Sequence, residues 1–500
     1  MKNLKWKKAG SAVLATALAG SMVLPATAYA QGEIVQLEGG TSTQTNTAPE
    51  QVFLNKYSGT VRTQNFNDNW KFYLGDASGA QTPAFDDSSW DQVNLPHDYS
   101  IDQKYNRSMD GESGYLPGGT GWYRKSFTVD KSLEGKRISI DFGGVYMNAT
   151  IYVNGKKLGT HPYGYTPFSF DITDNVKFGK ENVIAVKVDH QTPSSRFYSG
   201  SGIYRDVDFV VTDTVHVDKN GTKIETPDLK EHVDGNNVAV KVKTTVVNES
   251  ERDASVKVKH TIYPKNGTAE QAVATFESQE AVAVEKGKSK DVSADFTASG
   301  VQLWSTTTPN LYTVKTEVLM DGATVDTYET DYGFRYFAFD KNNGFTLNGQ
   351  KMKLQGVCMH HDQGALGSVA NDRSTERQVE ILKMMGCNSI RVTHNPASDE
   401  LIDACNKHGI LVIDEAFDGW VAPKNGNSND YAKWFNKEIE SDNEIMGAAD
   451  NMTWAQFDLT AMIERGQNDP AIIMWSSVSG RCGKEQADIV LLIRLLRTIL

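Results

Sequence analysis

The sequence predicts a multidomain β plus α/β chain: a jelly-roll sandwich, an immunoglobulin-like sandwich and a partial (β/α)8 TIM barrel. Three observations carry that prediction. Between residues 52 and 335, short β-branched and aromatic runs alternate with turn residues, with no helical periodicity between them. From Tyr336 the rhythm changes to short apolar runs separated by helical patterns, as in a parallel sheet. Residues 336–500 hold four such strands, whereas a complete barrel takes ~250 residues.

The first thirty residues read as a secretion signal. Lys2, Lys5, Lys7 and Lys8 make a basic start, Ala9–Leu24 is an apolar small-residue run, and Ala28-Tyr29-Ala30 offers an A-x-A cleavage site before Gln31. The run is short and ends at Pro25, which argues against a membrane span. The mature chain is therefore expected outside the cell. Residues 31–51, rich in Thr, Gln and Gly, read as a linker.

Residues 52–212 form the predicted jelly roll. Ile138–Phe142, Ala149–Val153 and Val183–Val188 are strand runs, and Asn154-Gly155 is a hairpin signal. Residues 213–335 form the second sandwich. Val238–Thr244 and Ala254–Lys259 alternate with period two, apolar on one face and Lys-rich on the other, so each is a half-buried antiparallel strand. Each sandwich is expected to fold alone, and protease to leave a resistant fragment of about residues 52–335.

Residues 336–476 are predicted as the first half of the barrel. The expected strands are Lys353–Val357, Asn388–Thr393, Ile410–Asp414 and Ala471–Ser476. The helices between them are Arg373–Met385 capped by Asp372, Ser398–Lys407 stopped near Gly409, and Met452–Arg465. Residues 477–500 read as an atypical tail: Ile489–Leu500 is almost entirely Ile, Leu and Val, yet too short to cross a bilayer.

Composition narrows the partners. A formal net charge of -12 argues against nucleic acid and anionic membrane, while a neutral carbohydrate is compatible. The four cysteines, Cys358, Cys387, Cys405 and Cys482, include no C-x-x-C pair and none lies in the sandwiches, so they read as buried thiols rather than a disulfide framework or zinc site. No cofactor is expected.

In a (β/α)8 barrel, functional groups sit where strands end. Three predicted strand ends carry them: His360-His361-Asp362, then His394-Asn395, then Asp414-Glu415 with Asp418 and Trp420. Polar groups and an aromatic on one rim suit a hydroxyl-rich ring, which needs hydrogen-bond partners at its edge and an apolar face to stack on. His360 and His361 are adjacent, so a strand would point them to opposite sides, a poor arrangement for zinc.

These runs resemble a known family. Asn388–Pro396, Leu401-Ile402, Gly409 and Ile410–Ile413 are similar to the first signature of glycoside hydrolase family 2, and Gly356-Val357 with His360 to its strand-one motif. Leu95–Asp98, Pro117–Arg124 and Ser199–Val207 resemble the sugar-binding sandwich of the family's secreted bacterial β-galactosidases. The resemblance implies a retaining β-glycosidase acting on terminal β-galactosides. It carries substrate contacts over to Asp98, His360 and His394, with Trp420 as a stacking wall. A non-catalytic galactoside-binding module, a β-glucuronidase or β-mannosidase type, and an active hydrolase of altered mechanism are the alternatives.

Retention needs two carboxyl groups about 5–5.5 Å apart, an acid/base and a nucleophile. Asn468–Ser476 resembles the strip leading to the family's acid/base Glu, but Gly480 stands where that Glu is expected. Glu485 and Asp488 lie too far past the strand end to replace it. The nucleophile belongs to a seventh strand that is not seen. No catalytic residue is therefore assigned, and this chain is expected to be inactive. The family's Glu-x-His magnesium motif is matched only by Phe417–Trp420 without the His, so no metal is expected. The resemblance is read as stopping at Ser476, and a reading-frame shift there is the expected cause.

Overall fold

The computed structural model describes residues 55–58, 61–419 and 422–476. The expected signal and linker, Trp420, and the tail with Gly480, Glu485 and Asp488 lie outside the described residues.

In the front sandwich a seven-stranded sheet faces a four-stranded one. The larger sheet is built on the antiparallel pair Gly119–Val129 and Glu181–His190, in register over ten residues. Beside it Ala149–Val153 pairs with Lys156–His161. The hairpin turns through Asn154 (φ 49°) and Gly155 (φ 87°), the doubly positive φ that a tight two-residue turn needs. The smaller sheet orders Phe168–Asp171, Arg137–Phe142, Val207–Thr212 and Thr63–Asn65. Along Arg137–Phe142 the alternate residues Ile138, Ile140 and Phe142 are buried, as period two requires.

The middle sandwich pairs Val215–Glu225, Val238–Asn248 and Lys288–Ala298 in one sheet. The other orders Ala274–Glu277, Ala254–Pro264, Tyr312–Met320 and Ala323–Tyr332, with Val282–Val284 added to Ala254–Pro264. Its apolar residues close two clusters of their own, around Val240, Ile262 and Val314, and around Val246, Val256 and Val258.

The barrel segment alternates strand and helix: β1 (Gly356–Met359), α1 (Asp372–Met384), β2 (Ser389–Val392), α2 (Asp399–His408), β3 (Leu411–Glu415), α3 (Trp454–Gly466) and β4 (Ile472–Ser476). The four strands are parallel and adjacent in chain order. Expected β1 began at Lys353, but the Asn388 side chain takes that backbone instead, donating to Lys353 O (2.9 Å) and accepting from Gln355 N (2.8 Å). The α1 cap is Asn371, not Asp372: its side chain accepts from Ser374 N at 3.1 Å. Ser398 caps α2 and Gly409 ends it at φ 67°, a conformation that favours glycine.

One observation bears against the front sandwich folding alone. Its core is continuous with that of the barrel segment. Phe168, Phe170 and Tyr163 belong to one continuous apolar cluster with Ala416, Phe417, Tyr431, Phe435, Trp454 and Phe457 of the barrel segment. At this seam the Asp458 carboxylate accepts from His161 Nε2 (2.9 Å), and from the Thr166 and Tyr431 hydroxyls. His161 and Asp458 are both fully buried. The barrel segment supplies 11 of the 44 buried residues in this cluster, so removing it would strip the front sandwich of about a quarter of its shared core.

Candidate functional site

The carboxyl ends of β1, β2 and β3 bring His360, His394 and Glu415 to one rim. Glu415 is 2 % exposed and both its oxygens are engaged: Arg391 Nε donates to Oε1 (2.6 Å) and His394 Nδ1 donates to Oε2 (2.8 Å). This fixes the imidazole: Nδ1 carries the proton and Nε2, turned away from Glu415, is the acceptor in the neutral ring. Glu415 thereby orients His394.

His360 is half-buried, its ring 4.0 Å from that of Phe197 and 5.8 Å from that of His394. Burial, reinforced by the neighbouring His394, holds its pKa below the usual imidazole value. His361 points elsewhere, donating from Nε2 to Ser199 O (3.2 Å) and lying edge-on to Tyr165 (5.1 Å). The adjacent histidines do diverge.

Phe197 comes from the front sandwich, as does Arg196. The Arg196 guanidinium embraces Asp418 with two nitrogens, Nε at 2.9 Å, and Lys424 Nζ lies 3.3 Å from the same carboxylate. Burial pushes Asp418 up, but the two cations outweigh it and leave its pKa below the usual carboxylate range. Tyr163, also from the front sandwich, places its hydroxyl 2.9 Å from Asn395 Oδ1 and 2.7 Å from Ala416 O. A small recess of about 20 Å³ lies between Tyr146, Tyr163, Ser195, Asn395 and Asp418.

Two sequence-picked acids do something other than face the rim. Asp414 is fully buried, accepts from Ala397 N and Arg465 Nη2 (both 2.9 Å), and anchors the loop after β2. Burial raises its pKa, with Arg465 opposing. Asp98, expected to touch sugar, is 1 % exposed and surrounded by protein donors: Ser100 N, Ser201 N, Tyr198 Oη and both the amide and hydroxyl of Ser368. Its oxygens are occupied, so as placed it holds loops together. Arg196, Phe197, Tyr163 and Arg391 escaped the sequence reading. Ser199–Val207 stood two residues beyond Phe197, but nothing in a Ser-Arg-Phe-Tyr run announces a barrel contact. Among the described residues, the carboxylate–imidazole group compact enough to hold a metal is Glu376, Glu380 and His408 on α1 and α2, where Arg373 and Lys407 pair with the acids.

Two sandwiches preceding parallel strands that converge on a histidine-bearing rim form an arrangement that comparison with known proteins assigns to a family. Residues 63–213 match the profile "Glycosyl hydrolases family 2, sugar binding domain", residues 222–335 "Glycosyl hydrolases family 2", and residues 340–498 "Glycosyl hydrolases family 2, TIM barrel domain". The chain belongs to glycoside hydrolase family 2. It is 42 % identical over 82 % of its length to the β-galactosidase BoGH2A of Bacteroides ovatus, covering 46 % of that protein. It is 36 % identical over 82 % of its length to a putative β-glucuronidase of Formosa agariphila, covering 37 % of it. A family 2 crystal structure from Bacteroides cellulosilyticus superposes with a TM-score of 0.80 at 37 % identity, over 88 % of this chain and 55 % of the other. The chain thus spans about half the length of the relatives it matches. The barrel match runs to residue 498. The resemblance therefore does not stop at Ser476, which removes the ground for a reading-frame shift there.

Proposed function

We propose that the chain carries the glycone-facing half of a retaining β-galactosidase-type glycosidase, with His360 and His394 meeting the sugar. The carrying observation is the rim itself: His394 held in one tautomer by Glu415 and Arg391, beside His360 packed at a tilt against Phe197. A pyranoside offers hydroxyls for the imidazole nitrogens and a C–H face for the phenyl ring. Trp420 is proposed as a further stacking surface. The choice of galactoside over glucuronide is supported by the front-sandwich motifs and by the 42 % identity to a β-galactosidase.

The rim acids do not make the pair that retention requires. Glu415 and Asp418 are committed to Arg391, His394, Arg196 and Lys424, and the sequence register that puts Gly480 at the acid/base position is part of the proposal. The 500-residue chain should therefore bind β-galactosides without turning them over. Calorimetry with a β-thiogalactoside and with a glucuronide tests the binding, and a chromogenic galactoside tests turnover. Preference for the glucuronide would overturn the substrate class. Hydrolysis abolished by replacing Asp414, Glu415 or Asp418 with Ala would establish the altered-mechanism alternative instead. Secretion, with cleavage after Ala30, is part of the proposal, and N-terminal sequencing of the exported chain checks it.

A further inference from the structure

We propose that Asp98 is a positioning residue: a single buried carboxylate that locks the front-sandwich wall of the pocket to the first loop of the barrel. Its two oxygens join three segments far apart in sequence. Oδ1 accepts from Ser100 N and Ser201 N, both at 2.9 Å. Oδ2 accepts from Tyr198 Oη (2.6 Å), Ser368 N (2.9 Å) and Ser368 Oγ (3.1 Å). One partner set follows directly on Arg196 and Phe197, the residues that reach the rim. The other ends the loop that begins at His360.

The surroundings are shaped for that carboxylate. Gly200 and Gly367 approach it with φ of 67° and 68°. A Cβ on Gly200 would lie 2.6 Å from Oδ2 and 1.9 Å from Ser368 Oγ; one on Gly367 would lie 2.3 Å from Oδ2. The backbone on both sides must be glycine in conformation and in volume. Two bonds continue the seam: His361 Nε2 to Ser199 O (3.2 Å), and Ala370 N to Tyr204 O (2.9 Å). Losing the lock loosens both walls at once, because the bonds from Tyr198 and Ser201 on one side and Ser368 on the other converge on one carboxylate. The distance between Phe197 and His360 then has nothing at Asp98 to set it.

The test uses the full chain with Asp98→Asn and, separately, Gly367→Ala. Asn keeps the shape but turns an N–H2 toward N–H and O–H donors, leaving part of the set unmatched. Gly367→Ala wedges the seam from the barrel side and leaves the charge intact, so it serves if D98N fails to fold. For both variants, hydrogen exchange is expected to rise at least tenfold, and together, in peptides covering 196–201 and 361–370. The His360 ring resonances, displaced in the wild type by the adjacent Phe197 ring, are expected to move toward ordinary values. β-Thiogalactoside affinity is expected to fall about tenfold. Faster exchange confined to residues 98–103 would overturn the proposal. Lost affinity with unchanged exchange and unchanged His360 signals would also overturn it, and would make Asp98 a direct sugar contact. If the wild-type chain binds no sugar, the proposed function fails, while exchange and the His360 signals still decide the lock.

Discussion

The two sandwiches share one strand grammar but differ in what completes them. The middle one closes two apolar clusters of its own and lends only Trp304, with Leu311 against it, to the barrel cluster among the described residues. The front one merges its inner face with the barrel segment that includes α3, and sends Arg196, Phe197, Tyr163 and Asp98 across the same boundary. The difference teaches that a sandwich pattern reports strands, not autonomy. Alternating burial is satisfied equally well by a neighbouring strand or by another domain. It also explains why the functional rim is composite: the sandwich that shares its core with the barrel segment is the one that walls the site.

The largest test of this contrast is all-or-none. Residues 213–335 expressed alone are expected to melt cooperatively by circular dichroism, and residues 52–212 alone to show no cooperative transition. A sharp melt from the front fragment would break the comparison. Next come core truncations in the full chain. Trp454→Ala, in the shared cluster at 1 % exposure, should cost about 3–5 kcal/mol and lower the front and barrel transitions together. Val258→Ala should cost about 2 kcal/mol and act on the middle sandwich alone.

A smaller, pH-dependent effect sharpens the picture of the middle sandwich. His260 is fully buried beside Phe276 and Phe296, and burial pushes its pKa down to about 4. Because the folded value lies below that of the unfolded chain, its neutral form contributes fully above pH ~6.5. As pH falls from there toward 4, the unfolded state takes the proton first, and about 1.4 kcal/mol of stability is lost per pH unit. His260→Phe should flatten urea-melt stability across that window, leaving the slope from His216, which burial also lowers. The smallest effect compares turns. Asp321, at φ 51° in the middle sandwich, should cost about 1 kcal/mol as Ala for its left-handed backbone. Asn154→Ala should cost more in a thermal melt of the full chain, since the Asn154 side chain also bonds Asn175 O, Asn182 Oδ1 and Val183 N.

Much of the fold was legible because its signals are local. Period-two runs gave the sandwich strands, Asn154-Gly155 the hairpin, and Ser398 with Gly409 the limits of α2. The β1 boundary was missed because a side chain, Asn388, replaced the ladder bonds there. The site was half legible. His360 and His394 stand at strand ends, where a barrel puts chemistry, and family motifs marked them. Asp98 was also marked, but its surroundings were not readable: Ser368 is 270 residues away.

The sequence by itself determined the strand and helix alternation, the change of rhythm at Tyr336, and which strand ends carry imidazoles. These follow from the spacing of neighbours along the chain. Tertiary structure alone decided that the front sandwich shares its core, that Glu415 and Arg391 fix the His394 ring, and that Asp98 faces five protein donors. Side-chain packing and hydrogen bonding act between atoms brought close by the fold, and no periodicity encodes which distant residues those will be.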